Sequence, residues 1–215
     1  MNLEKYQQYS RIARGLEKAD LVLKNARIVN VFTEEIIRGD IAIQDGIIAG
    51  IGSFHGKEER DLAGRYVCPG FIDSHLHLES TLVTPAELVT VAARHGTTTG
   101  IVDPHESANV SGLAGIDYIL DQTEDVKANV YVMMPSCVPA TAIDDNGCTL
   151  TAEDMAPYLH NSRILGLGEV MDSISVVQGE KSMHDKLELF EGRIRDGHAP
   201  FLEEGDLQAY AMAGI

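Results

Sequence analysis

The chain has 215 residues, 44% hydrophobic and 23% charged, which is ordinary globular material long enough to bury a substantial core. Its 33 acidic against 17 basic residues give a net charge of -16, which argues against a broad electropositive surface for nucleic acid or anionic lipid and favours a small neutral or cationic partner. Three cysteines, Cys68, Cys137 and Cys148, form no C-x-x-C pair and leave one unpaired whatever is bridged, which suits a reducing compartment and argues against a cysteine zinc site.

The N-terminus lacks a basic segment followed by an apolar core, and no later apolar run reaches the roughly 18 residues of a membrane span, so a cytoplasmic protein without a membrane partner is expected. Residues 1–19 predict a leading helix, with Leu3, Tyr6, Ile12 and Leu16 spaced for one face. Residues 20–66 read as a small antiparallel β domain. Its runs Leu21-Val22-Leu23, Arg27 to Val31, Ile36-Ile37, Asp40 to Ile43 and Gly46 to Ile51 are punctuated at Lys24-Asn25, Arg38-Gly39-Asp40 and Gln44-Asp45-Gly46, the last a hairpin signal.

From residue 67 to 215 strand-like and helix-like pieces alternate. Strands are predicted over Phe71 to His77, Thr98 to Asp103, Asn129 to Met134, Arg163 to Leu167 and Ile194 to His198. Helices are predicted from Thr84 to about His95, where Thr84, Pro85 and Glu87 form a start signal, and over Gly112 to Gln122, Thr151 to His160, Ser182 to Glu191 and Asp206 to Met212. Strand followed by helix five times means parallel βα units, either an open doubly wound sheet or the start of an eight-stranded barrel. The absence of G-x-G-x-x-G after the first strand, and polar residues at every strand end, favour the barrel.

The chemistry-bearing residues fall at those ends. His75 and His77 share one side of a strand, with Asp73 and Glu79 placed on the same side by alternation, and imidazoles with carboxylates at one strand end are the donor set of a transition-metal site. Asp103 and His105, Ser136 and Cys137, Glu169, and His198 follow at successive strand ends. Glu169 alternates with Leu165 and Leu167, and a carboxylate on an apolar face costs several kcal/mol unless a cation or hydrogen bonds compensate it, so it reads as a metal ligand or as a carboxylate satisfied by backbone donors. His105 reads as a ligand or as a partner orienting one, and His198 equally as a ligand or an ordinary polar residue. His55, His95, His160 and His184 read as surface residues. His105-Glu106 is not the helical H-E-x-x-H of zinc proteases, since Asn109 stands at the second histidine. His77-Leu78-Glu79 lacks the P-C-x-x-C of nucleic-acid deaminases.

Pro69-Gly70-Phe71-Ile72-Asp73-Ser74-His75-Leu76-His77 resembles the first-strand signature of the amidohydrolase superfamily, and the preceding β unit resembles that superfamily's accessory domain. More narrowly, His77 to Thr81, Val102 to Glu106, Pro135 to Thr141, Gly168 to Met171 and Asp196 to Pro200 together resemble the bacterial adenine deaminase family. The resemblance implies a binuclear manganese or iron site, zinc being an alternative. In it His75 and His77 bind one metal, Glu169 bridges two where many relatives use a carboxylated lysine, and His198 binds the second. Glu169, His105 and Glu79 are the expected catalytic set. A hydroxide from water would attack C6 of adenine, and ammonia would leave to give hypoxanthine.

The family continues with a histidine on a sixth strand and a proton-shuttling aspartate on an eighth. The loop Asp172 to Val176 and the segment Phe201 to Gly205 also depart from its pattern. The sequence therefore predicts an α/β chain: an accessory β domain, then an incomplete (β/α)8 barrel with little activity on its own and a possible homo-oligomer. Two rivals stand beside it, another metal-dependent amidohydrolase acting on a cyclic amide or purine, and a non-catalytic fragment that binds metal or a partner chain.

Overall fold

In the computed structural model, which describes residues 1–141 and 143–215, the chain divides into two units, Met1–Pro69 and Gly70–Ile215. The first begins with helix α1 (Leu3–Ala13), whose start is fixed by the Asn2 side chain accepting from the Lys5 N–H at 2.9 Å. Of the four residues assigned to its apolar face only Ile12 is buried. Leu3, Tyr6 and Leu16 lie exposed, and Tyr9 takes the inner place, its hydroxyl donating to Asp45 at 3.0 Å.

Strands β1 (Ala19–Asn30), β2 (Glu35–Gln44), β3 (Ile47–Gly52), β4 (Gly56–Asp61) and β5 (Tyr66–Val67) form one sheet in the order β3-β2-β1-β4, with β5 also on β1. Asp45 and Gly46 both have positive φ, 50° and 74°, the left-handed pair that a two-residue hairpin with the right twist requires. The other two predicted breaks are not breaks. Asn25 enters the left-handed region at φ 56° and makes a bulge inside β1, and Arg38-Gly39-Asp40 runs straight through β2. Asp40 explains both: its buried carboxylate accepts from the Lys24 ammonium, from the Asn25 N–H at 3.0 Å and from the Phe54 N–H at 3.2 Å. The sheet is mixed rather than antiparallel, because β4, in a segment too charged to predict as a strand, and β5 both pair parallel to β1.

The second unit opens with β6 (Phe71–Leu76) and continues through α2 (Pro85–Arg94), β7 (Thr97–Val102), α3 (His105–Ser111), α4 (Leu113–Gln122), β8 (Asn129–Pro135), α5 (Ala152–Met155), β9 (Ile164–Val170), α6 (Ser173–Gln178), α7 (Lys181–Leu189), β10 (Ile194–Gly197) and α8 (Glu204–Met212). The sheet is wholly parallel in the order β10-β9-β8-β7-β6. Each strand lies beside its predecessor with no reversal, which is the arrangement of a barrel wall and not of a doubly wound sheet, whose order reverses at a switch point. Leu167, Val102, Val132 and Met134 of the strands pack with Ile116, Ile119, Met155 and Phe190 from the helical layer in one core.

Two short helices were not predicted. Helix α3 follows Pro104 directly. In α6 the β-branched residues Ile174, Val176 and Val177 mask a start at which Asp172 accepts from the Ser175 N–H at 3.1 Å. Thr151 and Asp154 form the reciprocal cap at the start of α5, while the Thr84 side chain makes no capping bond at α2.

Candidate metal centre

The parallel sheet brings its strand C-termini to one edge, and residues at or just after the ends of β6, β7, β9 and β10 meet there. His75 Nε2 lies 3.1 Å from His77 Nε2 and 3.0 Å from Glu169 Oε1, while His77 Nε2 lies 3.6 Å from Glu169 Oε2. His105 Nδ1 approaches the same Oε2 at 3.1 Å. The His75 and His77 rings meet edge on at 4.9 Å between centroids, as do His77 and His105 at 4.7 Å. Ligand atoms in three sets, His75, His77 and Glu169; His77, His105 and Glu106; and Asp103, His105 and Glu169, lie within 4.8 Å of one another.

Glu169 is the centre of this arrangement. It is 9% exposed on β9, an interior strand next to the edge strand β10, and its peptide is tied to the neighbouring strand end by Ser136, whose hydroxyl donates to the Glu169 carbonyl at 2.8 Å. Ser136 carries a further bond, its own carbonyl accepting from the buried Lys186 ammonium at 2.7 Å. Burial holds the Lys186 amine below its usual range. His77 is oriented by the Asp103 carbonyl, 2.7 Å from Nδ1, and His75 by Asp196, 3.3 Å from Nδ1, so each imidazole turns Nε2 toward Glu169.

Asp103 tests whether these residues suit a cation. It is 2% exposed, and neither carboxylate oxygen has a hydrogen-bond partner among the described residues. Burial pushes its carboxyl above the usual range, with His105 pulling the other way. The facing Asp103 carboxylate, and less strongly Glu106 and Glu169, raise the His105 imidazole against the effect of its burial. Two imidazole nitrogens turned toward one carboxylate, beside a buried carboxylate with no donor, form a set that a divalent cation would satisfy and that the protein's own groups do not.

The sequence-assigned residues take different places. His75, His77 and Glu169 converge, and His105 joins them. His198 stands at the margin, half exposed, with Nδ1 3.9 Å from Glu169 Oε1, directly after the edge strand β10. Glu79 does not reach the cluster. Strand β6 stops at Leu76 and Glu79 opens a single 3-10 turn, so the alternation that placed it beside the histidines has ended. It lies instead against Glu106, accepting from the Ser107 N–H at 3.3 Å, and burial with its Glu106 neighbour pushes its carboxyl up to about 7. Asp73 is exposed and, among the described residues, accepts only from the His75 N–H at 3.3 Å. Ser136 and Cys137 are buried behind the site. His55, His95, His160 and His184 all lie exposed. Asp196 was missed because, beside Arg195, it made a poor buried strand; its signal was its place two residues before His198.

Residues 66–215 match the Amidohydrolase family. Among curated proteins, the adenine deaminase of Desulfitobacterium hafniense (strain Y51) is 57% identical over 215 residues, covering 100% of this chain and 38% of that protein. The adenine deaminase of Clostridium acetobutylicum is 49% identical over 205 residues, covering 94% of this chain and 36% of that protein. The chain thus spans less than two-fifths of the length of these relatives. Among solved structures, the N-acyl-D-glutamate deacylase of Bordetella bronchiseptica, complexed with zinc and a phosphonate inhibitor, is similar in fold with a TM-score of 0.62 at 17% identity, covering 92% of this chain and 49% of that one. No helix among the described residues is long and apolar enough to cross a membrane.

Proposed function

The chain belongs to the amidohydrolase family, and we propose that its residues form part of a cytoplasmic adenine deaminase, converting adenine and water to hypoxanthine and ammonia. The observation that carries this reading is the convergence of His75, His77, His105 and Glu169 beside an uncompensated buried Asp103. The relatives named adenine deaminase, at 57% and 49% identity, support the substrate. A small uncharged purine also suits a chain of net charge -16 better than a polyanion does. The accessory role of residues 20–66 and the completion of residues 67–215 into an eight-stranded barrel belong to the same proposal.

In this reading His75, His77 and Glu169 hold one divalent cation, and Glu169 with His198 holds a second. The cations are manganese or iron, with zinc as the alternative. When bound they would lower the pKa of water and so supply the nucleophile. The residues of the chain then position and move protons. Glu169, fixed by Ser136, keeps the imidazoles in register. His105, between Glu169 and Asp103, is placed to hold a proton at Nδ1 and pass it to the departing nitrogen. Glu106 lies 3.8 Å from His105 Nε2, and Glu79 acts only through Glu106.

The test is metal analysis of the purified chain and of its His75→Ala and Glu169→Ala variants after loading with manganese, iron or zinc. Glu169→Ala should lower affinity by more than about 100-fold, since loss of an outer partner alone costs about 10–100-fold. Unchanged stoichiometry in both variants would sink the metal site. Loss of adenine absorbance, compared with turnover of a panel of cyclic ureides by the full-length protein, separates adenine deamination from ring opening by another amidohydrolase.

A further inference from the structure

His198 differs from the other proposed ligands in how its backbone is held. It follows β10, an edge strand whose pairing with β9 slips between Arg195 and Gly197 before the last partner pair, Gly197 and Val170. At that point Tyr210, from α8, enters the strand end. Tyr210 is 5% exposed. Its hydroxyl donates to the Val170 carbonyl at 2.6 Å and accepts from the His198 N–H at 3.1 Å. Val170 follows Glu169 directly, so one phenol joins the peptide beside the central carboxylate to the peptide of His198.

The contact is close enough to constrain the sequence. A Cβ at Gly197 would lie 3.0 Å from the Tyr210 hydroxyl and 2.7 Å from Ile215 Cγ2, so a glycine is what allows β10 to lie against the phenol. The far side of the β9 end is anchored separately, by the Ser136 hydroxyl on the Glu169 carbonyl. Glu169 is therefore fixed without Tyr210, whereas the His198 peptide is tied to it through Tyr210.

From this we infer that Tyr210 is a positioning residue that sets the distance between His198 and Glu169, and so tunes the second cation position without affecting the first. The inference rests on the reading of Glu169 and His198 as ligands. Both bonds are to backbone atoms, so the phenol controls where the ligands stand and takes no part as a ligand itself.

The test is titration of the purified chain with cobalt(II), followed by visible absorption and by bound metal after dialysis, for the wild type, Tyr210→Phe, His198→Ala and Gly197→Ala. Tyr210→Phe keeps the ring and removes the hydroxyl. It should leave the first equivalent unchanged and weaken the second about 10–100-fold, as loss of partners that orient metal ligands does. A purely structural role would lower thermal stability and weaken both equivalents together, or neither. Two equivalents in the wild type with an unchanged second equivalent in Tyr210→Phe would overturn this inference and leave the two-cation reading standing. A wild type with no second equivalent, or one insensitive to His198→Ala, would overturn the two-cation reading and this inference with it. If Tyr210→Phe does not fold, Gly197→Ala, which forces the strand end away from the same hydroxyl, should show the same selective loss, and an unchanged second equivalent there counts against the inference.

Discussion

Asp40 in the N-terminal unit and Asp103 in the C-terminal unit are both buried, at 6% and 2% exposure, yet one is surrounded by hydrogen-bond donors and the other has no hydrogen-bond partner among the described residues. Asp40 accepts from Lys24 and from two backbone N–H groups. Burial works to raise its carboxyl, but these three partners outweigh it and hold the group below the usual range. Asp103 has no hydrogen-bond partner at either oxygen among the described residues, and burial prevails, raising it. A carboxylate that a fold buries for its own stability is given its donors by that fold. One that is buried without them marks a place where stability yields to chemistry.

The contrast can be broken most forcefully by adding the missing partner. If a divalent cation occupies the C-terminal cluster, manganese at about 100 times its Kd should stabilise the chain against urea by about 2.7 kcal/mol. Asp103→Asn should reduce that gain while costing the metal-free chain little, since the carboxylate accepts no hydrogen bond among the described residues and only faces His105 Nδ1 at 3.6 Å. A marked destabilisation of metal-free Asp103→Asn would show that this carboxylate is structural after all.

Next in size is the N-terminal unit. Asp40→Ala leaves the Asn25 and Phe54 N–H groups without their acceptor and should cost about 1–3 kcal/mol, with no effect on metal binding. The effect has a pH signature. Because the folded Asp40 carboxyl sits below its ordinary value of 3.8, its contribution is present above that pH and is lost as pH falls through the lowered value. Acid unfolding below pH 3.8 should therefore be shallower in Asp40→Ala than in the wild type, and equal slopes would remove the carboxylate from the account.

The smallest effect applies the same logic to two helix starts. Thr151→Ala, which breaks a cap made in both directions, should cost about 1 kcal/mol, whereas Thr84→Ala should fall well below that because the Thr84 side chain caps nothing. Paired thermal melts check the difference.

Much of the C-terminal unit was legible from short-range signals. The five strands lie within a few residues of their predicted places, β8 and β9 because they are apolar runs and β7 because it is rich in β-branched threonine, while β10, Ile-Arg-Asp-Gly, was placed mainly by the strand-helix alternation. His75 and His77 were legible because strand alternation holds between them closely enough to turn both toward Glu169. Glu79 was not, because the same alternation was carried beyond the end of the strand into a turn. In the N-terminal unit Lys24-Asn25 and Arg38-Gly39-Asp40 looked like turns by composition. They stay in strands because Asp40, fifteen residues from Asn25 in sequence, supplies the bonds that make a bulge. Strand β4 went unread because its charged residues are supported by pairing with β1 and not by their own pattern.

Local sequence by itself determined which residues could bind a metal, where the strands of the C-terminal unit lie and how the Asp45-Gly46 hairpin turns, since donor chemistry, side-chain period and left-handed φ are properties of a few adjacent residues. Only the tertiary structure decided which candidates meet. Parallel strands in unbroken order place His75, His77, His105 and Glu169 together from positions up to 94 residues apart in the sequence. The same packing leaves Asp103 without a donor and puts the His198 peptide in the hands of Tyr210. Those outcomes depend on the lateral order and register of strands, which no local pattern encodes.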